Sequence, residues 1–374
     1  MQSLFALIVF VASASVSGPA SAGDANRTNA APDLDAAREI NRKLQQALPQ
    51  AADWLLEHQD PRKRAAGLLH RVGAGVTLDA QAEFVERMAT DDRFRDHDSI
   101  RQAALDALTR AEARDDDLGT FEPAELLDRI EKAIRTTTDG AALAWLATAC
   151  ATADIEAFCI DAGLDDAIVR HDGANLFSRG SLLNNPTSDQ IEALILDADE
   201  TRTYWNVFLN TWFDALSAVD AGAQVDDHVR LLGASSMAMA YAIPAYQYLD
   251  QACGAAVTPD SELELACDRL LDDMAENGDT ALTQLMPSSI RARRASARGL
   301  DQRAAEFEAE KQRIHERLSC AASEIEALLE DGNGSRVRQY LGLLLEHGEI
   351  KGRERFAETH GIDCSARAEL AAAK

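Results

Sequence analysis

Apolar residues return at the pitch of an α-helix along nearly the whole chain. Leu34, Ala37, Ile40, Leu44 and Ala47 share one helical face, and Pro49 marks an expected end. Asp60-Pro61 sets a capping carboxylate before a proline at the first helical position, and Gly73 with Gly75 closes that segment. Asp98 or Ser99 starts a helix bearing Ile100, Ala104, Leu105, Leu108 and Ala111; Pro123 opens one bearing Leu126, Leu127, Ile130 and Ile134. The stretch 141–160 reads as a helix, a break and a short second helix carrying Cys150 and Cys159. Breaks at Asp172-Gly173 and Asn184-Asn185-Pro186-Thr187 precede a short helix with Ile191, Leu194 and Ile195.

Helical pattern resumes from Tyr204 to Val219 and again from Val229 to Cys253, where Pro244 is expected to kink it. Asp260 or Ser261 starts a helix with Leu263, Leu265, Cys267, Leu270 and Leu271, and Met286-Pro287-Ser288 is expected to be a break. From Ser289 to Leu329 one long helix or two are expected, with Gly299 as the interruption and Phe307, Ile314, Leu318, Ala322, Ile325 and Leu329 as the apolar stripe. Gly332-Asn333-Gly334 ends it, and two short helices finish the chain. Nowhere do β-branched and polar residues alternate as a strand requires. The expectation is an all-α protein of stacked antiparallel helical hairpins, α-solenoid-like, because a single bundle core stops growing at this size.

The N-terminus has a different texture. Leu4 to Val11 is an unbroken apolar run, and Ala20-Ser21-Ala22 has the small-x-small form of a signal-peptidase site, although no basic residue precedes the run. A run this short is below the ~20 residues of a spanning helix. The chain therefore divides into a signal peptide (1–22), a flexible leader (23–32), an N-terminal helical region (33–139), central disulfide-containing hairpins (140–286) and a C-terminal long helix with short helices (287–374). Export places the protein in the periplasm or outside the cell, with no membrane span after signal cleavage.

Composition narrows the partners. With 63 acidic against 37 basic side chains the net charge is −26, which argues against nucleic acid and anionic membranes as ligands. The six cysteines are an even set in an exported chain, where disulfides persist. Sequence leaves their connectivity open. Neighbours in sequence are the expected pairs, Cys150 with Cys159, Cys253 with Cys267 and Cys320 with Cys364, because facing ends of a hairpin bring Cα atoms within about 7 Å. No C-x2-C spacing suggests zinc, and no metal or cofactor is expected.

Candidate chemistry is sparse. His315-Glu316 lacks the second histidine of a zinc-protease helix, and Gly233-Ala234-Ser235-Ser236-Met237 lacks the last glycine of a nucleophile elbow. Asp96-His97-Asp98, His171-Asp172 and Asp226-Asp227-His228 place acids beside histidines, yet adjacent side chains on a helix diverge. No catalytic residue is assigned. Aromatic residues concentrate between 204 and 248: Trp205, Phe208 and Trp212 share one helix face, and Tyr241 and Tyr248 share another. They read either as a core between packed hairpins or as a groove for a protein or peptide partner.

The segment Asp60-Pro61-Arg62-Lys63-Arg64-Ala65-Ala66 resembles the inter-helix turn and second-helix opening of HEAT-type repeats. The hairpins bearing Cys150/Cys159 and Cys253/Cys267 are similar to exported tetratricopeptide-like or Sel1-like proteins of Gram-negative bacteria, in which cysteines staple a repeat. The resemblance implies partner binding rather than catalysis and transfers no catalytic residue. The expected function is a binding or interaction module, and the alternative is an exported hydrolase acting on cell-envelope material.

Overall fold

The computed structural model describes residues 34–71, 123–152, 156–181, 183, 186–219, 225–241, 246–319, 322–330 and 333–362. The signal peptide, the leader, Gly73, Gly75, the Ile100–Ala111 pattern, Asp96-His97-Asp98, Pro244, Gly332, Cys320 and Cys364 lie outside the described residues. Among those described, every regular element is an α-helix, and β-pairing is limited to one isolated bridge between Asn175 and Glu200.

The described residues form, in order, α1 (Leu34–Glu57), α2 (61–71), α3 (Pro123–Thr136), α4 (Gly140–Thr152), α5 (Glu156–Asp161) and α6 (Leu164–Asp172). Short α7 (Leu176–Gly180) and α8 (Ser188–Asp197) lead to α9 (Trp205–Ala218), α10 (Asp227–Tyr241) and α11 (Gln247–Cys253). The chain continues through α12 (Glu262–Asn277), α13 (Ala281–Ala297), α14 (Asp301–Ser319), α15 (Ala322–Glu330) and α16 (Gly334–Thr359).

The caps explain most of these boundaries. The Asp60 carboxylate accepts from Arg62 N at 2.8 Å, Ser261 Oγ from Glu264 N at 3.1 Å, and Thr187 forms a reciprocal capping box with Gln190. Gly299 turns the chain between α13 and α14 with φ +68, a conformation that suits glycine.

Two prolines behave otherwise than expected. Pro49 lies inside α1 and Pro287 inside α13, so neither ends a helix. A proline in a helix interior costs about 3 kcal/mol. In α1, burial of Leu44, Ala47 and Leu48 before Pro49 and of Ala51, Ala52 and Leu55 after it offsets that cost. Pro287 is itself buried, beside buried Ser288 and Ile290.

Among the described residues two hydrophobic clusters form. The larger joins α1–α6, α9, α10, α15 and α16, and its bulk comes from Trp145, Phe208 and Trp212. The Trp145 and Phe208 rings meet edge to face at 4.8 Å, a geometry that adds to simple area burial. The smaller joins α7, α8, α11, α12 and α13 around Leu270, Leu271, Met274 and Ile290. Helices remote in sequence share the larger core: α9 packs on α1, α10 and α16. In a linear stack each hairpin meets only its chain neighbours; here the first and last described helices both meet the middle.

Within these clusters the cysteine sulfurs of Cys150/Cys159 and of Cys253/Cys267 sit at bonding distance, with Cα separations of 6.4 and 5.4 Å. All four residues are fully buried. The first pair ties α4 to α5 and the second ties α11 to α12, as local pairing anticipates.

Candidate ligand-binding cleft

Helix α13 carries Arg291, Arg294 and Arg298 at spacings of three and four, which puts their guanidinium groups on one face. Opposite, α12 carries Glu264, Asp268 and Asp272, each four residues apart. The two rows interlock. Arg291 Nη2 lies 2.6 Å from Asp272 Oδ1, Arg294 Nη2 bonds Asp268, and Arg298 Nη1 lies 2.6 Å from Glu264 Oε1. Arg298 also donates to the Val257 carbonyl at 3.0 Å, which fixes its plane. Burial alone would raise the Glu264 carboxyl. The hydrogen bond from Arg298, the Asp260 N–H and the charges of Arg298 and Arg294 outweigh it and hold Glu264 below the usual carboxylate range.

The three-residue link through Gly299 folds α14 back along α13. Arg303 and Phe307, four apart on α14, then line a cleft with the α12/α13 ion pairs, Ala295 and Leu300. Its volume is about 280 Å³. Four guanidinium groups meet three carboxylates there. Among the described residues Arg303 makes no hydrogen bond or ion pair, so the surplus positive charge sits on it. Phe307 and Leu300 supply an apolar wall beside that charge; Leu300 is 43% exposed.

A second polar cluster is closed. Asp172 accepts from the Tyr204 hydroxyl at 2.8 Å, from Asn175 Nδ2 at 3.1 Å and from the Ser178 hydroxyl. Asn175 and Ser178 are fully buried, and Asn175 also donates to the Arg202 carbonyl at 3.1 Å. Burial first, then the Asp172 charge and hydrogen bond, push the Tyr204 hydroxyl above its ordinary range. The cluster anchors the 198–204 segment and satisfies its own polar groups.

The aromatic residues singled out in the sequence lie elsewhere. Trp205, Phe208, Trp212 and Tyr241 are buried in the larger core, with ring contacts from Phe208 to Trp212 and to Tyr241. Tyr248 is partly buried against the smaller core and donates its hydroxyl to the Leu183 carbonyl at 2.9 Å. In this fold the first four are packing residues, because a side chain so enclosed has no surface left for a partner. Of the acid–histidine neighbours, His171 is exposed while Asp172 belongs to the closed cluster, and Asp227 pairs with Arg230 and Arg338. Among the described residues no three His, Cys, Asp or Glu side chains converge as a metal site.

Sequence reasoning missed the cleft. Its signal was the run Arg291-Ala292-Arg293-Arg294-Ala295-Ser296-Ala297-Arg298, an arginine face in a strongly acidic chain. The acidic face of α12 lies some 25 residues earlier, and spacing within either helix does not show that they meet. No protein-family description, no curated protein and no solved structure matches this chain.

Proposed function

We propose that this protein is an exported, disulfide-stapled helical binding module whose ligand contacts are made in the cleft between α12, α13 and α14. The supporting observation is Arg303, which makes no hydrogen bond or ion pair among the described residues and lies beside an apolar wall, in a cleft whose other charges are already paired. Export is supported by the N-terminal apolar run with its Ala20-Ser21-Ala22 site and by two cysteine pairs at bonding distance. Among the described residues no helix is long and apolar enough to cross a membrane. Hairpins such as α9/α10 and α13/α14 serve as the rigid frame, and the ion pairs between α12 and α13 preorganise one wall. The carboxylates of Glu264, Asp268 and Asp272 are each held by arginine, so they offer no free acid–base pair for a hydrolase.

A fragment screen followed by backbone amide shifts tests the reading. Binders should move the Arg303 and Phe307 signals while leaving those of the buried Trp205 and Trp212 in place. A screen in which every shift falls elsewhere would remove the cleft from the proposal.

A further inference from the structure

Resting on that reading, we infer that the cleft takes a small organic anion: one carboxylate or phosphate group attached to a compact apolar body. The charge comes first. The chain carries −26, yet this cleft gathers four guanidinium groups against three carboxylates. An anion is repelled by most of such a surface and finds its favourable potential where a cation is left over. Arg303 is that cation, and its planar donors match an oxyanion in a two-point contact.

Arg298 adds a preset neighbour. Glu264 and the Val257 carbonyl hold it in place, so a ligand spends little to order it.

The apolar half of the ligand follows from Phe307. Among the α14 residues only Leu318 is buried, so this helix contributes almost nothing to either core. A half-buried phenylalanine on it, four residues from Arg303 and in the lining of the cleft, is placed to cover a ring or short alkyl chain. The volume sets the size. About 280 Å³ is at the small end of the ~300–1,000 Å³ common for ligand sites, room for a single ring with a short tether. A cationic ligand is disfavoured, because each carboxylate in the cleft already has an arginine.

Four probes test the assignment by calorimetry together with amide shifts: 4-phenylbutyrate, phenyl phosphate, inorganic phosphate and 4-phenylbutylamine. Both aromatic anions should bind at the Arg303–Phe307 edge, and the one bound more tightly identifies the preferred oxyanion. Arg303→Gln should weaken both by about tenfold. Phe307→Ala should weaken the aromatic anions and leave inorganic phosphate unchanged. On the unmodified chain, raising salt from ~0.05 to ~0.5 M should weaken anion binding severalfold, a readout that needs no variant. Equal binding of the amine, or anion binding that ignores both Arg303→Gln and salt, would overturn the anion assignment while the cleft stood as a binding site. If no probe of either charge moves the cleft signals, the binding-module reading fails with it.

Discussion

The carboxylate of Asp279 caps α9 from 73 residues further along the chain: its Oδ2 accepts from the Asn206 backbone N–H at 3.4 Å. Its other oxygen takes the Thr203 hydroxyl. Helix α9 needs this help because its own N-cap residue, Tyr204, stands at φ +58 and offers no side-chain cap. Asp279 also reaches the other way, where its carbonyl accepts from Glu349 N at 2.8 Å beside the kink at Gly348. Gly348 has φ +76, and a Cβ there would lie 3.0 Å from that carbonyl, so the contact requires glycine. Asp279 thus joins α9 to α16.

Removing this cap should be visible in denaturant unfolding. Asp279→Ala is expected to cost about 1–2 kcal/mol, and Asp279→Asn less, because an amide oxygen still accepts. Burial raises the Asp279 carboxyl, and its hydrogen bonds only partly oppose that. A raised carboxyl contributes stability that is present below its unfolded value and lost as pH rises through the folded one. The stability difference should therefore move in favour of Asp279→Asn as pH rises through that range. An Asp279→Ala chain as stable as the parent would show that water caps α9 equally well.

His70 gives the opposite slope. It is buried with its ring edge-on to Trp212 at 5.1 Å, and burial, aided by the Arg71 charge, lowers its pKa from 6.5 to about 4. The folded state resists the proton and the unfolded state accepts it. The stability from keeping His70 neutral is present above about pH 6.5 and falls away towards pH 4, by about 3 kcal/mol in all. Comparing urea midpoints at pH 7 and pH 4.5 for the parent and His70→Phe isolates this term from the many surface carboxylates. Parallel pH profiles would refute it.

Gly140→Ala should destabilise, although the same change inside a helix ordinarily gains up to about 1 kcal/mol. A Cβ at position 140 would stand 2.7 Å from the Tyr204 hydroxyl and 3.0 Å from the Asp172 carboxyl carbon. Overpacking of this kind costs about 1–3 kcal/mol. Adding Tyr204→Phe removes the obstructing oxygen, so the double variant should lose less than the two single losses combined. Strict additivity in thermal melts would mean that the clash is relieved some other way.

Reduction should lower the unfolding midpoint in two steps that paired Cys→Ser variants can separate. The Cys150/Cys159 and Cys253/Cys267 pairs have sequence separations of 9 and 14. Loop-closure entropy gives each about 3 kcal/mol, slightly more for the longer loop. A chain whose midpoint ignores a reductant would not depend on either pair.

Local sequence made the chain helical, marked several helix ends and made the two local cysteine pairs the expected ones among the open connectivities. Each of these depends on residues close along the chain: an apolar face at helical pitch, the Asp60 and Ser261 caps, the glycine at 299. What those helices enclose is set by packing between distant segments. Pro49 and Pro287 continue helices because packing on either side outweighs one missing hydrogen bond. Trp205, Phe208 and Trp212 form a face that reads equally as groove or core, and burial against α1, α4 and α10 makes it core. Arg303 and Phe307 gain their meaning only when the Gly299 turn brings α14 alongside the ion-paired rows of α12 and α13. Spacing along the chain specifies a face, but which face it meets is set by the summed burial of many weak contacts between segments far apart in sequence.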